Sequence, residues 1–184
     1  MRGGPIGVRL VLLAAAMTWA GCPDGNDASP QRSRAARSVA WRGAVSKAAL
    51  IAKAVEAIRA NDPQAYSSLI PSVADMKAVC PQRFEGHSLT RIHERRQETT
   101  RELATNLARC ASQVDWERAQ QKEIWGGIAQ PPLTGCREKM QRLGDITVSF
   151  AVDQARYEVI LENPFVLGNK RYGLLRAPSC DRAE

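Results

Sequence analysis

Between Trp125 and Ile146 the apolar residues of this chain change their period, and that change decides what the chain can fold into. Upstream they recur every three or four positions, the mark of helices with one buried stripe. Downstream, Ile146, Val148, Phe150 and Val152 alternate with Thr147, Ser149 and Ala151, and Tyr157, Val159 and Leu161 alternate with Arg156, Glu158 and Ile160. Each alternation predicts a strand with one buried face. Helices first and antiparallel strands last predict an α+β fold with helices covering one sheet face.

The helical half divides at its own punctuation. From Arg34 to Ala60 the residues Ala44, Ala48, Ile51, Val55 and Ile58 place one apolar stripe on a helix, which Asn61-Asp62-Pro63 ends. Asp62 suits the cap of a second short helix with Pro63 at its first position, holding Ala65, Tyr66, Leu69 and Ile70 until Pro71 stops it. Ser72 and Asp75 form a capping-box-like start for a third, through Val79. After an irregular stretch from Pro81 to Ser88, a long helix is predicted from about Thr90 to Trp125, with Ile92, Thr99, Leu103, Leu107, Cys110 and Val114 on one side. Its first half is almost entirely polar, so that end is expected to project into solvent or to pack along a narrow seam. Gly126-Gly127 and Pro131-Pro132 are read as its terminators. In the strand half, Asp153-Gln154 turns the chain, Asn163-Pro164 makes a corner, and Gly168-Asn169 joins Phe165–Leu167 to Arg171–Arg176, completing a C-terminal antiparallel meander.

Ahead of these elements lies an address. Met1 to Arg9 is a cationic lead with Arg2 and Arg9 and no acid, and Leu10 to Ala20 is an apolar run of eleven residues. Such a run is too short to span a bilayer as a helix and reads as an export signal. The segment Thr18-Trp19-Ala20-Gly21-Cys22 resembles the bacterial lipobox, which implies cleavage before Cys22 and a diacylglyceryl group on its thiol. Trp19 stands where that signal usually carries an aliphatic residue, and cleavage after Ala20, with Thr18 and Ala20 as the small pair, is the competing reading. Residues 1-21 are then a lipoprotein signal peptide, 22-33 the lipidated cysteine and a flexible tether averaging roughly 20 Å in span, and 34-184 a single α+β domain. Pro23-Asp24, just after the cysteine, does not separate inner- from outer-membrane sorting.

Export makes disulfides permissible, and the cysteine count agrees with lipidation. Cys22, Cys80, Cys110, Cys136 and Cys180 make five, which leaves a stray thiol unless Cys22 is withdrawn by the lipid. The remaining four allow three connectivities; pairing Cys80 with Cys110 and Cys136 with Cys180 is the preferred one, each bridge contributing roughly 4 kcal/mol in the chain-entropy model. No C-x-x-C occurs, so a metal site is not expected.

The formal charge of +7 falls by two when Arg2 and Arg9 leave with the signal. The remaining cations are interleaved with acids, which argues against nucleic acid as a partner. Arg32, Arg34, Arg37 and Arg42 form an acid-free cluster behind Cys22. An anionic membrane surface suits them, although a solvated helix start is the plainer reading.

No catalytic signature is present. His87 and His93 lie six apart and share no helical face, and Gln97 occupies the position where a second zinc-binding histidine would follow His93-Glu94. There is no G-x-S-x-G elbow and no phosphate-binding glycine loop. Asp145, Asp153, Glu158 and Glu162 are explained by solubility. Trp116, Trp125, Tyr157 and Tyr172 are the aromatic candidates for a recognition surface, with packing the safer expectation, and Trp41 and Tyr66 are assigned to the helical layer.

The opening helix with Ala57-Ile58-Arg59-Ala60-Asn61-Asp62-Pro63-Gln64-Ala65-Tyr66, together with Lys170-Arg171-Tyr172-Gly173-Leu174-Leu175, resembles the nuclear-transport-factor type of cystatin-like fold. That resemblance implies a curved sheet wrapped on a long helix, able to enclose a pocket. The expected function is a non-enzymatic lipoprotein of the bacterial cell envelope, lipid-anchored and facing the periplasm or the cell surface. It would use no cofactor and act as a binding or structural module toward an envelope protein or glycan. The alternative is a periplasmic small-ligand-binding protein with a cone-like pocket between the long helix and the sheet.

Overall fold

In the first half of the domain, short side chains at the element boundaries set where each helix starts and stops. The computed structural model describes residues 41–86, 89–168 and 170–183. Helix α1, Lys47–Arg59, is capped by Ser46, whose side chain accepts from the Ala49 amide at 3.0 Å. It ends in a Schellman arrangement: Asp62 N–H donates to the Ala57 carbonyl, Asn61 N–H to that of Ile58, and Asn61 takes the left-handed conformation. Asp62 then caps α2, Pro63–Ser67, by accepting from the Gln64 and Ala65 amides. Ser72 and Asp75 close a reciprocal capping box on α3, Val73–Val79, and a 3₁₀ turn follows at Pro81–Phe84.

The expected start of the first helix at Arg34 is not found. Trp41–Ser46 is non-helical, and Ala44 exchanges backbone hydrogen bonds with Tyr172; residues 34–40 lie outside the described residues. The buried stripe is Leu50, Ile51, Ala54, Ala57 and Ile58, a fraction of a turn away from the expected one, so Ala48 is exposed.

The predicted helix from Thr90 to Trp125 needs a larger correction. Helix α4, Leu89–Gln113, buries Leu103 and Leu107 with Cys110, while the next residue, Val114, is buried just past its end. The chain then turns through Asp115, with Trp116 set edge-on against Phe150 at 5.1 Å, and enters a strand. That strand, β1 (Gln120–Gly126), pairs antiparallel with β4 (Ile146–Val152). Its Gln-Gln-Lys-Glu sequence favours a helix, and pairing along the free side of β4 overrides that preference. Gly126-Gly127 therefore terminates a strand: Gly126 has φ +85°, and a Cβ there would stand 2.0 Å from the Asp145 carbonyl oxygen.

The remaining strands are β2 (Ala129–Pro132), β3 (Met140–Leu143), β5 (Ala155–Leu161), β6 (Phe165–Leu167), β7 (Arg171–Gly173) and β8 (Ser179–Ala183). They do not form one meander. Two four-stranded antiparallel sheets are ordered β1-β4-β5-β8 and β2-β3-β6-β7. Asp153 takes a positive φ in the two-residue turn between β4 and β5, and Gly168 does so in the β6–β7 hairpin; Asn169 lies outside the described residues.

Each sheet has its own apolar cluster. The first lies among α1, α4 and the first sheet and includes Leu50, Ile58, Leu107, Val148, Val159 and Leu161, all buried. Side chains thus fill the space where a cone-like pocket was expected. The second includes Trp41, Val79, Met140, Phe165 and Leu167. Trp41 stacks obliquely on Phe165 at 5.3 Å and donates from its indole nitrogen to the Ser68 carbonyl at 3.2 Å.

The bridges are Cys80–Cys136 and Cys110–Cys180, not the pairing preferred from sequence. The C-terminal strand β8 returns beside β5 and under α4, which brings Cys180 to Cys110. The loop before β3 folds back on the end of α3, where Arg137 N–H donates to the Val79 carbonyl at 2.7 Å, and this brings Cys136 to Cys80. The two loops interleave along the chain, a topology that nearest-in-sequence reasoning does not generate.

Candidate functional site

Among the described residues, the carboxylates singled out from sequence do not converge. Asp145 accepts from the Asn163 amide at 2.8 Å, Asp153 pairs with Arg118, Glu158 lies 3.7 Å from Arg156, and Glu162 lies 3.7 Å from Arg176. Each carboxylate is thus held by a different partner at a different place. His93 belongs to α4, and His87 and Cys22 lie outside the described residues. Among the described residues no group of three histidine, cysteine or carboxylate side chains is placed to hold a metal ion.

The aromatic candidates divide by role. Trp41, Tyr66 and Trp116 belong to the packing, with Tyr66 fully buried. Tyr157 is half-buried on β5. Trp125 is 40% exposed, with the Arg156 guanidinium 5.4 Å over its ring. Tyr172 lines a concave site.

That site is a groove of about 340 Å³ on the second sheet. The register aligns Gln141 of β3 with Val166 of β6 and Val166 with Tyr172 of β7, so these three side chains share one sheet face. Leu143, two residues on from Gln141, extends the same face, and Leu143 and Val166 are buried in its floor. Lys47, the first residue of α1, also lines the groove, its Cδ 3.3 Å from where a Cβ on Gly127 would sit. Gly127, Ala129 and Gly168 line the groove and leave it open. The Gln141 amide donates to the Gln130 carbonyl at 3.3 Å, which fixes its orientation.

An apolar floor, one ammonium, one amide and one phenol can hold an apolar group that carries an anionic or hydrogen-bonding end. No carboxylate, histidine or cysteine is among the described residues that line the groove. Sequence reasoning reached Tyr172 and missed Lys47, Gln141 and Val166. Lys47 carried no local signal, because its position follows from where α1 begins. Gln141 and Val166 sit in strands of four and three residues, too short for alternation to stand out.

Comparison of the chain with protein-family models, with curated proteins and with solved structures finds no match.

Proposed function

We propose that this chain is a non-enzymatic, lipid-anchored module of the bacterial cell envelope that acts by binding another envelope component, with the groove on the second sheet as its binding cleft. The observation that carries the reading is the cysteine pairing. Four of the five cysteines are consumed by two bridges, and the fifth, Cys22, closes the lipobox-like segment Thr18–Cys22. An export signal, two disulfides and a single leftover cysteine at a lipidation position are mutually consistent, since disulfides persist in oxidising compartments. No described helix is long and apolar enough to cross a membrane. In this reading the acyl chains hold the protein at the membrane, several of them far more firmly than one.

The test is the intact mass of the protein recovered from bacterial membranes under its own signal, alkylated without reductant. The expected species begins at Cys22, carries acyl chains and has no alkylated thiol. A soluble species beginning at Gly21 with one alkylated cysteine would remove the anchor.

The groove also favours a second reading, small-ligand binding, because its volume falls within the roughly 300–1,000 Å³ of small-molecule sites. Native mass spectrometry of the gently extracted protein separates the two. A copurifying small molecule that Lys47→Glu loses supports a ligand carrier, and a protein or glycan crosslinked through Lys47 supports the binding module.

A further inference from the structure

Lys47 is the one charged side chain among the described residues that line the groove on the second sheet. Its stem passes over Gly127, where a Cβ would stand 3.3 Å from Lys47 Cδ and 2.9 Å from Ile146 Cγ1. The missing side chain at 127 is what leaves room for the lysine there. A long side chain whose methylenes already lie against the protein loses less freedom when its ammonium takes a partner.

That ammonium has no carboxylate of its own. The ion pairs among the described residues join Arg118 to Asp115 and Asp153, Arg156 to Glu123 and Glu158, Arg171 to Glu138, and Arg176 to Glu162. None of them includes Lys47. At Gly168, another residue of the lining, the neighbouring acid is Glu138, 3.9 Å from where a Cβ would stand, and Arg171 already holds it. An anion entering the groove therefore meets a positive charge without displacing an existing partner, which is charge complementarity on one side only.

The neutral polar groups limit the kind of anion. Gln141 spends one amide hydrogen on the Gln130 carbonyl at 3.3 Å and keeps the other, and the Tyr172 phenol is a further donor. A phosphate ester, with up to two charges and three acceptor oxygens, is matched by arginine forks or several convergent N–H groups. The described lining holds no arginine. A carboxylate, with one charge and two oxygens, matches one ammonium and one or two neutral donors. The remainder of the ligand faces the buried floor of Leu143 and Val166. The volume of about 340 Å³ lies at the low end of small-molecule sites, so that remainder is a short chain or a single ring.

We propose that the groove takes a small molecule with one carboxylate and a short apolar body, the carboxylate on Lys47 and the body over Leu143 and Val166. The proposal rests on the small-ligand reading of the groove, and the test separates the two. Octanoate is the probe, with octanol, octylamine and octyl phosphate as its neutral, cationic and phosphate counterparts. The chain beginning at residue 22 with Cys22→Ser is titrated with each at pH 7, where octanoate is ionised, and methyl NMR follows Leu143 and Val166. Octanoate is expected to move both sets of methyls and to bind about tenfold or more tighter than octanol. Lys47→Gln is expected to remove that preference. Ala129→Trp, at an exposed position of the lining, is expected to exclude every probe while the rest of the spectrum is kept.

Equal binding of octanoate and octanol, or a preference that survives in Lys47→Gln, would overturn the carboxylate while leaving a small-ligand groove standing. Tighter binding of octyl phosphate would overturn it in favour of a phosphate ester. Binding that Ala129→Trp leaves intact would place the ligand elsewhere and overturn the site. Leu143 and Val166 methyls unmoved by all four probes would remove the small-ligand reading and the proposal together.

Discussion

Tyr66 is fully buried with its hydroxyl unpaired among the described residues, and a phenol in that position carries a pH dependence. Burial first, and then the negative charge of Glu162, hold its ionisation far above the ordinary tyrosine range. The unfolded chain releases this proton near pH 10 while the folded one keeps it, so above that pH the unfolded state binds fewer protons. Stability from this group is therefore intact below about pH 10 and is lost as pH rises beyond it, by about 1.4 kcal/mol per unit. Urea denaturation of Tyr66→Phe is expected to show unchanged stability at pH 7, or a gain of about 1 kcal/mol, because an unpaired buried hydroxyl is removed. It is also expected to show a shallower loss between pH 10 and 11 than the wild type. A variant that loses more than about 1 kcal/mol at pH 7 would mean that the hydroxyl is bonded in solution. Gly126 is the backbone counterpart: Gly126→Ala meets both an unfavourable φ and the Asp145 carbonyl, and is expected to cost at least ~2 kcal/mol by the same measurement. A smaller loss would show that the β1–β4 end opens freely.

The elements that were legible in the sequence are those whose cause is local. Asp62 with Pro63, Ser72 with Asp75, and Asn61 at a helix end announce themselves because a short polar side chain does the same thing to any nearby backbone. The alternation in β4 and β5 was legible because it runs seven residues in each, long enough for a period of two to show. β1 was not, because its all-exposed Gln-Gln-Lys-Glu start has no pattern and exists by pairing with a strand about twenty-five residues away. For the same reason the bridges were misassigned, since both depend on where the sheets return the chain. Their surroundings make them unequal. Cys110 and Cys180 are wholly buried, whereas Cys136 is half-buried beside a surface cavity of about 260 Å³ lined by Pro81, Gln82 and Arg137. A thiolate of a small dithiol reaches the Cys136 sulfur and expels Cys80 as the thiolate, a route that burial denies to the other bridge. Timed alkylation with peptide mapping under native conditions should show Cys80–Cys136 opening at least about tenfold faster. Equal rates would mean that both bridges open through a common unfolding event.

At the scale of the whole molecule, the two sheets hold their cores by different means. The first sheet is covered by α1 and α4, and the Cys110–Cys180 bridge fixes α4 to its edge strand β8. The second sheet has strands of only three or four residues. It depends on Trp41, on the short helix α3 and on Cys80–Cys136 for its cover. Trp41 is wedged so closely over Gly173 that a Cβ there would lie 2.4 Å from its ring. A cluster so small has little apolar area to offset the ordering of its loops, so the bridge, closing a span of 56 residues, carries a large share of its stability, about 4 kcal/mol in the chain-entropy model. The paired variant Cys80→Ala with Cys136→Ala is therefore expected to lose stability locally. Hydrogen exchange read by mass spectrometry should accelerate in α3, β3 and β6 while β4, β5 and β8 keep near-native protection. The groove shares the second sheet, so any binding measured for it should weaken in the same variant. Uniform acceleration across both sheets would show that the domain opens as one unit and that the bridge serves the whole of it.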